Sequence, residues 1–191
     1  MLLVISAPSG AGKTTIVKEV LRRFPSFKFS VSATTREIRP GEIDGKDYFF
    51  LSKSEFERKI SNDELVEYEE IYSNYYGTLK SEVEKALSLG EDIVFDVDVK
   101  GGLSIKRKFP QAVTIFIKPP SMDVLRERLE KRGSETKEQI GRRLKRVPME
   151  LEKGALYDYI IINDELKRAL SEVFEIINDR MKEFSSGTKT N

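Results

Sequence analysis

Residues 2–15 read LLVISAPSGAGKTT, a short apolar run that leads into a glycine-rich turn and a lysine. The segment 7–14 matches the phosphate-loop pattern G-x-x-x-x-G-K-[ST], with Ala7 in place of the first glycine. Gly10 and Gly12 would allow backbone N–H groups to turn towards phosphate oxygens where the next helix starts. Lys13 would supply charge for the β- and γ-phosphates, and Thr14 a hydroxyl for Mg²⁺. The sequence therefore predicts a nucleoside triphosphate site formed by Ala7, Pro8, Ser9, Gly10, Ala11, Gly12, Lys13, Thr14 and Thr15.

Apolar runs and amphipathic stretches alternate along most of the chain, a pattern typical of βαβ units around a parallel sheet. Buried strands are predicted at residues 2–6, 92–97, 112–117 and 157–162, and helices at about 13–24, 101–109, 121–132, 135–152 and 165–184. Between the first helix and residue 92, short aromatic and β-branched runs at 30–35, 48–51 and 66–72 are separated by turn signals. This middle section predicts a small, mostly antiparallel insertion.

The composition narrows the possible chemistry. The 191 residues fit one domain, and a hydrophobic content of 39% suffices for a core. Because cysteine and histidine are absent, the sequence excludes disulfides, thiolate or imidazole metal sites and Ser-His-Asp catalysis. A metal would need oxygen ligands, which favours Mg²⁺. With a net charge of +1 and no apolar run near the ~20 residues of a membrane span, we expect a cytoplasmic protein with no nucleic-acid or membrane partner, monomeric or a small homo-oligomer.

Further short motifs follow the phosphate loop in order. They are SATTR (32–36), RPGE (39–42), GKDYFF (45–50), YYGT (75–78), DVDVKG (96–101), RLEKRG (128–133) and IND (162–164). Together with the phosphate loop, these motifs resemble the guanylate kinase family over nearly the full chain. The resemblance implies an α/β, P-loop NTPase-like three-layer fold with a parallel sheet core, a small mostly antiparallel insertion that binds the nucleoside monophosphate, and a helical lid. It implies one domain, 1–191, with a core at 1–31, 85–125 and 147–184, a GMP-binding subdomain at 32–84 and a lid at 126–146.

The family transfers the γ-phosphoryl group of ATP to GMP. The resemblance therefore implies ATP and GMP (with dGMP) as small-molecule substrates and Mg²⁺ as the cofactor. By the same resemblance, the acceptor phosphate would be held by Arg36, Arg39, Tyr48 and Tyr76. One guanidinium group can donate two parallel hydrogen bonds to two phosphate oxygens, and tyrosine hydroxyls add neutral donors. Such contacts would fix the attacking oxygen in line with the transferred group.

Guanine recognition maps, by resemblance, to Ser32, Glu67, Thr78 and Asp98. Guanine presents donors at N1 and N2, and an ionised carboxylate only accepts hydrogen bonds. Adenine presents an acceptor at N1 and has no amino group at C2, so AMP would be disfavoured. Thr78 would donate to guanine O6. The neighbouring acidic residues are interpreted as a solvated surface: Asp63, Glu69 and Glu70.

Asp96 and Asp98 lie at the end of the strand predicted at 92–97, where ligands bind in parallel sheets. Asp96 resembles the family carboxylate that holds Mg²⁺, so the predicted metal ligands are Thr14 and Asp96. A helix N-cap is the alternative role for either aspartate.

Residues 126–150 carry nine basic and five acidic side chains. By resemblance this segment contains the lid, in which Arg132 and Arg143 would join Lys13 as catalytic residues. Arg128 and Asn163 would lie on the adenine side, although Asn163 could instead cap a loop. Three further basic residues are interpreted as surface: Lys131, Lys145 and Arg146.

Two other functions remain open at this point. A related P-loop kinase that phosphorylates a sugar phosphate would keep the phosphate loop but have no use for Glu67, Thr78 and Asp98 as a set. A non-catalytic guanylate-kinase-like domain that binds phosphopeptides would not need Lys13, Thr14 or a basic lid. The intact motifs favour the GMP kinase over both.

Overall fold

The computed structural model describes residues 1–131 and 136–187, which form two sheets with surrounding helices. The strands are β1 (Leu2–Ser6), β2 (Phe27–Phe29), β3 (Ser32–Thr34), β4 (Phe49–Phe50), β5 (Leu65–Ile71), β6 (Asn74–Leu79), β7 (Asp92–Asp96), β8 (Val113–Lys118) and β9 (Tyr159–Ile162). The helices are α1 (Lys13–Arg23), α2 (Lys53–Ser61), α3 (Lys80–Ser88), α4 (Val99–Lys108), α5 (Met122–Lys131), α6 (Lys137–Gly154) and α7 (Leu166–Gly187).

The larger sheet is parallel, with strand order β2-β7-β1-β8-β9. Successive side chains of a strand point to opposite faces. Leu3 and Ile5 of β1 therefore join a buried cluster with α1 and α7, whereas Leu2 and Val4 join a second cluster with α3 and α4. Burial of both faces explains why β1 is apolar throughout. The predicted three-layer α/β fold is confirmed.

The smaller sheet has strand order β4-β3-β6-β5 and lies in the predicted insertion. Its β3–β6 and β5–β6 pairs are antiparallel, and only β3–β4 is parallel. Helix α2 covers this sheet through Phe56, which is fully buried beside Ala33, Leu65 and Leu79. The mostly antiparallel insertion is thus confirmed, although α2 was not among the predicted helices.

The elements α4 and β9 begin at residues other than those predicted, and a side-chain hydrogen bond accompanies each difference. Helix α4 begins at Val99 rather than residue 101, because the Asp98 carboxylate accepts a hydrogen bond from the Gly101 N–H and caps the helix. Strand β9 begins at Tyr159 rather than residue 157. The hydroxyl of the buried Tyr157 instead donates a hydrogen bond to the Val99 carbonyl at 3.1 Å, which connects the residues before β9 to the start of α4.

Helix α6 connects the region predicted as a lid to the core. It begins with a capping box in which Thr136 and Gln139 satisfy each other's backbone N–H groups. Its later residue Val147 packs in the same cluster as β1 and α7. Among the described helices, none combines the length and apolarity that crossing a membrane would require.

Candidate active site

The phosphate loop occupies the turn between β1 and α1, at the C-terminal edge of the parallel sheet. Gly10 and Gly12 have φ angles of 93° and 99°, in the left-handed region that favours glycine. Gly12 is also the N-cap of α1, so no side-chain oxygen takes the first N–H groups of the helix, and its first turn holds no acidic residue. These N–H groups and the positive helix end can bind an anion.

Lys13 and Asp96 form the closest ion pair of this loop. The Lys13 ammonium lies 2.6 Å from Asp96 Oδ1 and donates to the Val97 carbonyl at 2.9 Å. Burial opposes the charge on Lys13, but the charge and hydrogen bond of Asp96, together with the nearby Tyr48 and Asp98, raise the Lys13 pKa overall. Thr14 and Thr15, which follow in the first turn of α1, are exposed.

Asn163 braces the phosphate loop from the end of β9. It is buried, and its amide donates to the Ala11 carbonyl at 2.8 Å. A Cβ at Gly12 would lie 2.4 Å from Asn163 Nδ2. The Asn163 amide can therefore pack against the loop only because residue 12 has no side chain. Arg128 of α5 in turn donates to the Asn163 carbonyl at 2.9 Å. The two residues predicted for the adenine side therefore lie together, and Asn163 makes the loop contact that was its alternative role.

Arg143 of α6 reaches the phosphate loop, where it donates to the Ser9 hydroxyl. This contact brings one predicted lid arginine to the phosphate-binding segment. The other, Arg132, lies outside the described residues.

Glu67 and Thr78 form a buried polar pair on adjacent strands of the smaller sheet. They are register partners in the β5–β6 ladder, and Thr78 donates to Glu67 Oε1 at 2.7 Å. Ser32 is also buried and pairs with Thr78 from the other side, in the β3–β6 ladder. Burial raises the pKa of Glu67 to about 7, despite the hydrogen bond from Thr78, and nearby Asp98 adds to the effect. Three of the residues predicted for guanine are thus side by side.

Gly101 provides the space for the Glu67 carboxylate. A Cβ at this position of α4 would lie 2.5 Å from Glu67 Oε2 and 3.2 Å from Asp98 Oδ1. The contact places the first turn of α4 directly against the pair on β5 and β6. The sequence shows this glycine in the DVDVKG motif, but its role depends on the approach of β5, which the sequence does not reveal.

Asp98 meets the buried pair from the end of β7. One of its oxygens caps α4 at 2.7 Å, which is the alternative role weighed for it, and Oδ2 lies 3.3 Å from Arg146 Nη2. Arg146 also contacts Glu150 at 3.5 Å. The interpretation of Arg146 as surface is wrong, because its side chain is only 21% exposed and lies between two carboxylates.

The predicted acceptor-phosphate residues gather around the Tyr48 ring. The Arg36 guanidinium lies 5.4 Å from the ring centroid, and the Tyr76 ring is 6.1 Å away in an edge-to-face arrangement. Arg36 also binds Glu42 through both terminal nitrogens, at 3.0 and 2.8 Å, and this pairing lowers the Glu42 pKa. Arg39 joins through its backbone N–H, which donates to Glu42 at 2.8 Å, while its side chain is exposed.

The acidic residues interpreted as a solvated surface divide into two groups. Asp63 and Glu70 are exposed, as predicted. Glu69 is half-buried instead and accepts a hydrogen bond from Lys100 of α4. This ion pair ties β5 to the first turn of α4, close to Glu67.

Comparison with known proteins gives one consistent family. The guanylate kinase family model matches residues 1–180. The chain is 47% identical over 177 residues to a guanylate kinase of Desulfitobacterium hafniense (93% of this chain, 88% of the relative) and 48% identical over 177 residues to one of Caldanaerobacter subterraneus (93% and 86%). The crystal structure of guanylate kinase from Anaplasma phagocytophilum superimposes with a TM-score of 0.73 at 30% identity, covering 94% of this chain and 85% of that one.

Proposed function

This chain belongs to the guanylate kinase family, and from that premise we propose that it transfers the γ-phosphoryl group of ATP to GMP or dGMP. An oxygen of the GMP phosphate attacks the γ-phosphorus, the bond to the β–γ bridging oxygen breaks, and the products are GDP and ADP. At neutral pH the attacking oxygen is already ionised, so the reaction needs positioning and charge stabilisation rather than a strong general base.

The donor phosphates would bind at the phosphate loop. Its N–H groups, the start of α1 and the Lys13 ammonium supply positive potential, and the raised pKa of Lys13 keeps that group charged. Arg143, which contacts Ser9, would approach the transferred group, and Arg132 is proposed for the same task. Arg128 and Asn163 would lie beside adenine.

The acceptor phosphate would bind at the cluster around Tyr48. Arg36 and Tyr76 both contact the Tyr48 ring, and the Arg39 backbone is joined to this cluster through Glu42. Burial raises the pKa of the Tyr48 hydroxyl, which therefore stays a neutral donor. Phosphate would compete with Glu42 for the Arg36 fork, since both offer paired oxygens.

The single observation that carries the choice of guanine is the buried Glu67 carboxylate. With a pKa of about 7 it ionises near neutral pH, and an ionised carboxylate can accept from both N1–H and the N2 amino group of guanine. Those two donors would favour the ionised form in turn. Adenine offers an acceptor at N1 and has no amino group at C2, so beyond the hydrogen bond from Thr78 the buried carboxylate would receive no donor from the base at these positions, a penalty of the kind that discriminates strongly between substrates. Thr78, Ser32 and Asp98 would complete the guanine pocket.

The residues near Lys13 also fit a magnesium ion. Thr14 offers an exposed hydroxyl, and Asp96, paired with the adjacent Lys13, offers a carboxylate, so the donor set is oxygen only. Within residues 1–131 and 136–187, no group of three or more acidic side chains could bind a metal alone, and Mg²⁺ takes its remaining ligands from phosphates and water in sites of this kind. Bound there, Mg²⁺ would neutralise charge on the phosphates.

Assignment of segments follows from these roles. We assign residues 32–84 to GMP binding and 126–146 to the lid, with the remaining core at 1–31, 85–125 and 147–184, all within one domain. We also propose that the reaction takes place in the cytoplasm.

A coupled assay of ADP release with Mg-ATP tests this function. The acceptors would be GMP, dGMP, AMP, CMP, UMP and ribose 5-phosphate. We expect turnover confined to GMP and dGMP. Turnover with the sugar phosphate alone would point to the related kinase, and folded protein that binds GMP without turnover would point to a non-catalytic domain.

A further inference from the structure

Helix α6 carries two arginines that contact opposite halves of the site. Arg143 donates to Ser9 in the phosphate loop, and Arg146, three residues later and so on the same helical face, contacts Asp98. The side chains of Arg146 and Asp98 are 21% and 15% exposed, and the Glu150 side chain is 11% exposed. This group is therefore largely shielded from solvent, unlike the exposed ion pairs elsewhere on the helices.

Arg146 also contacts the hairpin that carries the buried Glu67–Thr78 pair. Its guanidinium lies 5.8 Å from the Tyr72 ring centroid. Tyr72 and Ser73 form the two-residue turn between β5 and β6, with φ angles of 52° and 65°. One side chain of α6 thus contacts the N-cap of α4 and the tip of the β5–β6 hairpin at the same time.

The Arg146 contact restricts the orientation of the Asp98 carboxylate. Oδ1 accepts from the Gly101 N–H at 2.7 Å, and Oδ2 accepts from Arg146 Nη2 at 3.3 Å. Because both oxygens accept hydrogen bonds, rotation about the Cβ–Cγ bond of Asp98 is limited. Each oxygen still has a lone pair that can accept another hydrogen bond.

The positive charge of Arg146 also stabilises a cluster of acidic side chains. Burial is the main cause of the raised pKa values of Glu67 and Glu150, and the nearby Asp98 charge raises both further, so Asp98 repels each of these carboxylates. Arg146 stands between Asp98 and Glu150 and offsets this repulsion. Removal of a partner from such a shielded group leaves uncompensated charge.

We propose that Arg146 is a positioning residue of the acceptor site, which orients the Asp98 carboxylate for the acceptor base from the same helix that brings Arg143 to the phosphate loop. The proposal rests on the function proposed above. It assigns Arg146 no contact with substrate, so its effect must pass through Asp98.

The test compares Arg146→Gln with Arg142→Gln, a matched change at an exposed position of α6. We expect the KM for GMP to rise about tenfold in Arg146→Gln, as for loss of one charged hydrogen bond, while kcat and the KM for ATP change less than about threefold. Arg142→Gln should match wild type. In Arg146→Lys, which keeps the charge but not the planar fork, the KM for GMP should lie between the two.

A double-mutant cycle with Asp98→Asn then asks whether the effect passes through Asp98. We expect Arg146→Gln to add little to the KM for GMP when Asp98 is already asparagine. Full additivity, or equal behaviour of the Arg146 and Arg142 variants, would overturn the proposal. Thermal unfolding checks the fold of each variant, and Arg146→Lys carries the comparison if Arg146→Gln does not fold. If wild-type protein shows no GMP binding by calorimetry, the proposed function fails together with this inference, whereas wild-type binding with additive variants contradicts the inference alone.

Discussion

The Lys13 ammonium and Asp96 Oδ1 lie 2.6 Å apart and join the phosphate loop to the end of the neighbouring strand β7. The sequence motifs predict these residues for the same phosphates, one as the cation and the other as a magnesium ligand. Their contact means that the charge of Lys13 is held in place by the strand next to its own. Lys13 and Asp96 are therefore a natural starting point for mutational tests.

Lys13→Ala should lower kcat about 10³-fold, because it removes the charge that would stabilise the transferred phosphoryl group. GMP affinity should fall far less than kcat, since the Lys13 ammonium pairs directly with Asp96 and the Val97 carbonyl and only at longer range with Tyr48 and Asp98. Steady-state kinetics and GMP calorimetry measure the two effects. Lys18→Ala, an exposed change on the same helix, serves as the control. An unchanged kcat in Lys13→Ala would remove Lys13 from the reaction.

Glu67→Gln should narrow the preference for GMP over AMP. The amide replaces one acceptor oxygen with a donor, which would face the donors of guanine. We expect kcat/KM for GMP to fall at least about 10²-fold and that for AMP to change little. Competition assays with both nucleotides measure the ratio. If the ratio stays as in wild type, Glu67 does not read the base.

The raised pKa of Glu67 predicts a pH-dependent stability. Its carboxyl group has a pKa of about 7 in the folded protein against 4.5 ordinarily, so the folded state binds this proton more tightly. The resulting stabilisation is fully present below the unfolded pKa and is lost as the pH rises through the folded one. Between pH 5.5 and pH 8, wild type should lose about 2 kcal/mol of unfolding free energy relative to Glu67→Gln. Urea unfolding at both pH values measures this, and parallel pH profiles would contradict it.

Gly101→Ala should damage GMP use without a loss of helix stability. The new methyl group would lie 2.5 Å from Glu67 Oε2 and force the carboxylate to move. Displacement of about 1 Å at a binding group can cost about 10²-fold in kcat/KM. Gly141→Ala on α6 is the matched control, because its Cβ would meet nothing within 4 Å and should stabilise the helix by about 1 kcal/mol. Similar kinetics for the two variants would show that the space beside Glu67 is not needed.

Asn163→Ala should weaken the phosphate loop. It would leave the Ala11 carbonyl without its 2.8 Å partner in a buried setting, at a cost of about 1–3 kcal/mol in unfolding free energy. The KM for ATP should rise, while the KM for GMP should not. The exposed Asn178→Ala provides the comparison in denaturation and kinetics. Equal stability of the two variants would argue that the brace is dispensable.

Local pattern in the sequence was enough to predict much of the fold. The continuous apolar run of β1 and the phosphate-loop motif placed the parallel core, and the short aromatic runs placed the insertion. Helices α2 and α3 were both missed, although the capping box of α2, Ser52 with Glu55, is visible in the sequence. Strand β2 is three residues long, too short for a periodic signal.

The candidate site was harder to predict, because its decisive contacts join residues far apart in sequence. Arg146 and Glu69 look like ordinary charged surface residues along the chain. The structure pairs them with Asp98 and Lys100, which a periodicity argument cannot identify. The spacing of Arg146 and Glu150 along one helix does appear in the sequence, but such pairs are usually exposed and weak. Asp98 shows the opposite case: it caps α4, the alternative role weighed for it, and it also lies close to Glu67, the other carboxylate predicted to bind guanine.

The ion pairs of Lys13 with Asp96 and of Arg36 with Glu42 also favour the binding of nucleotides over that of simple anions. Each carboxylate belongs to the chain and thus stands at a high effective concentration beside its cation. Inorganic phosphate or sulfate must displace this carboxylate, and it then makes fewer contacts in the site than a whole nucleotide does. A nucleotide brings several phosphates or a base as well, and these further contacts can repay the exchange. The two pairs would therefore weaken the binding of simple anions relative to that of nucleotides.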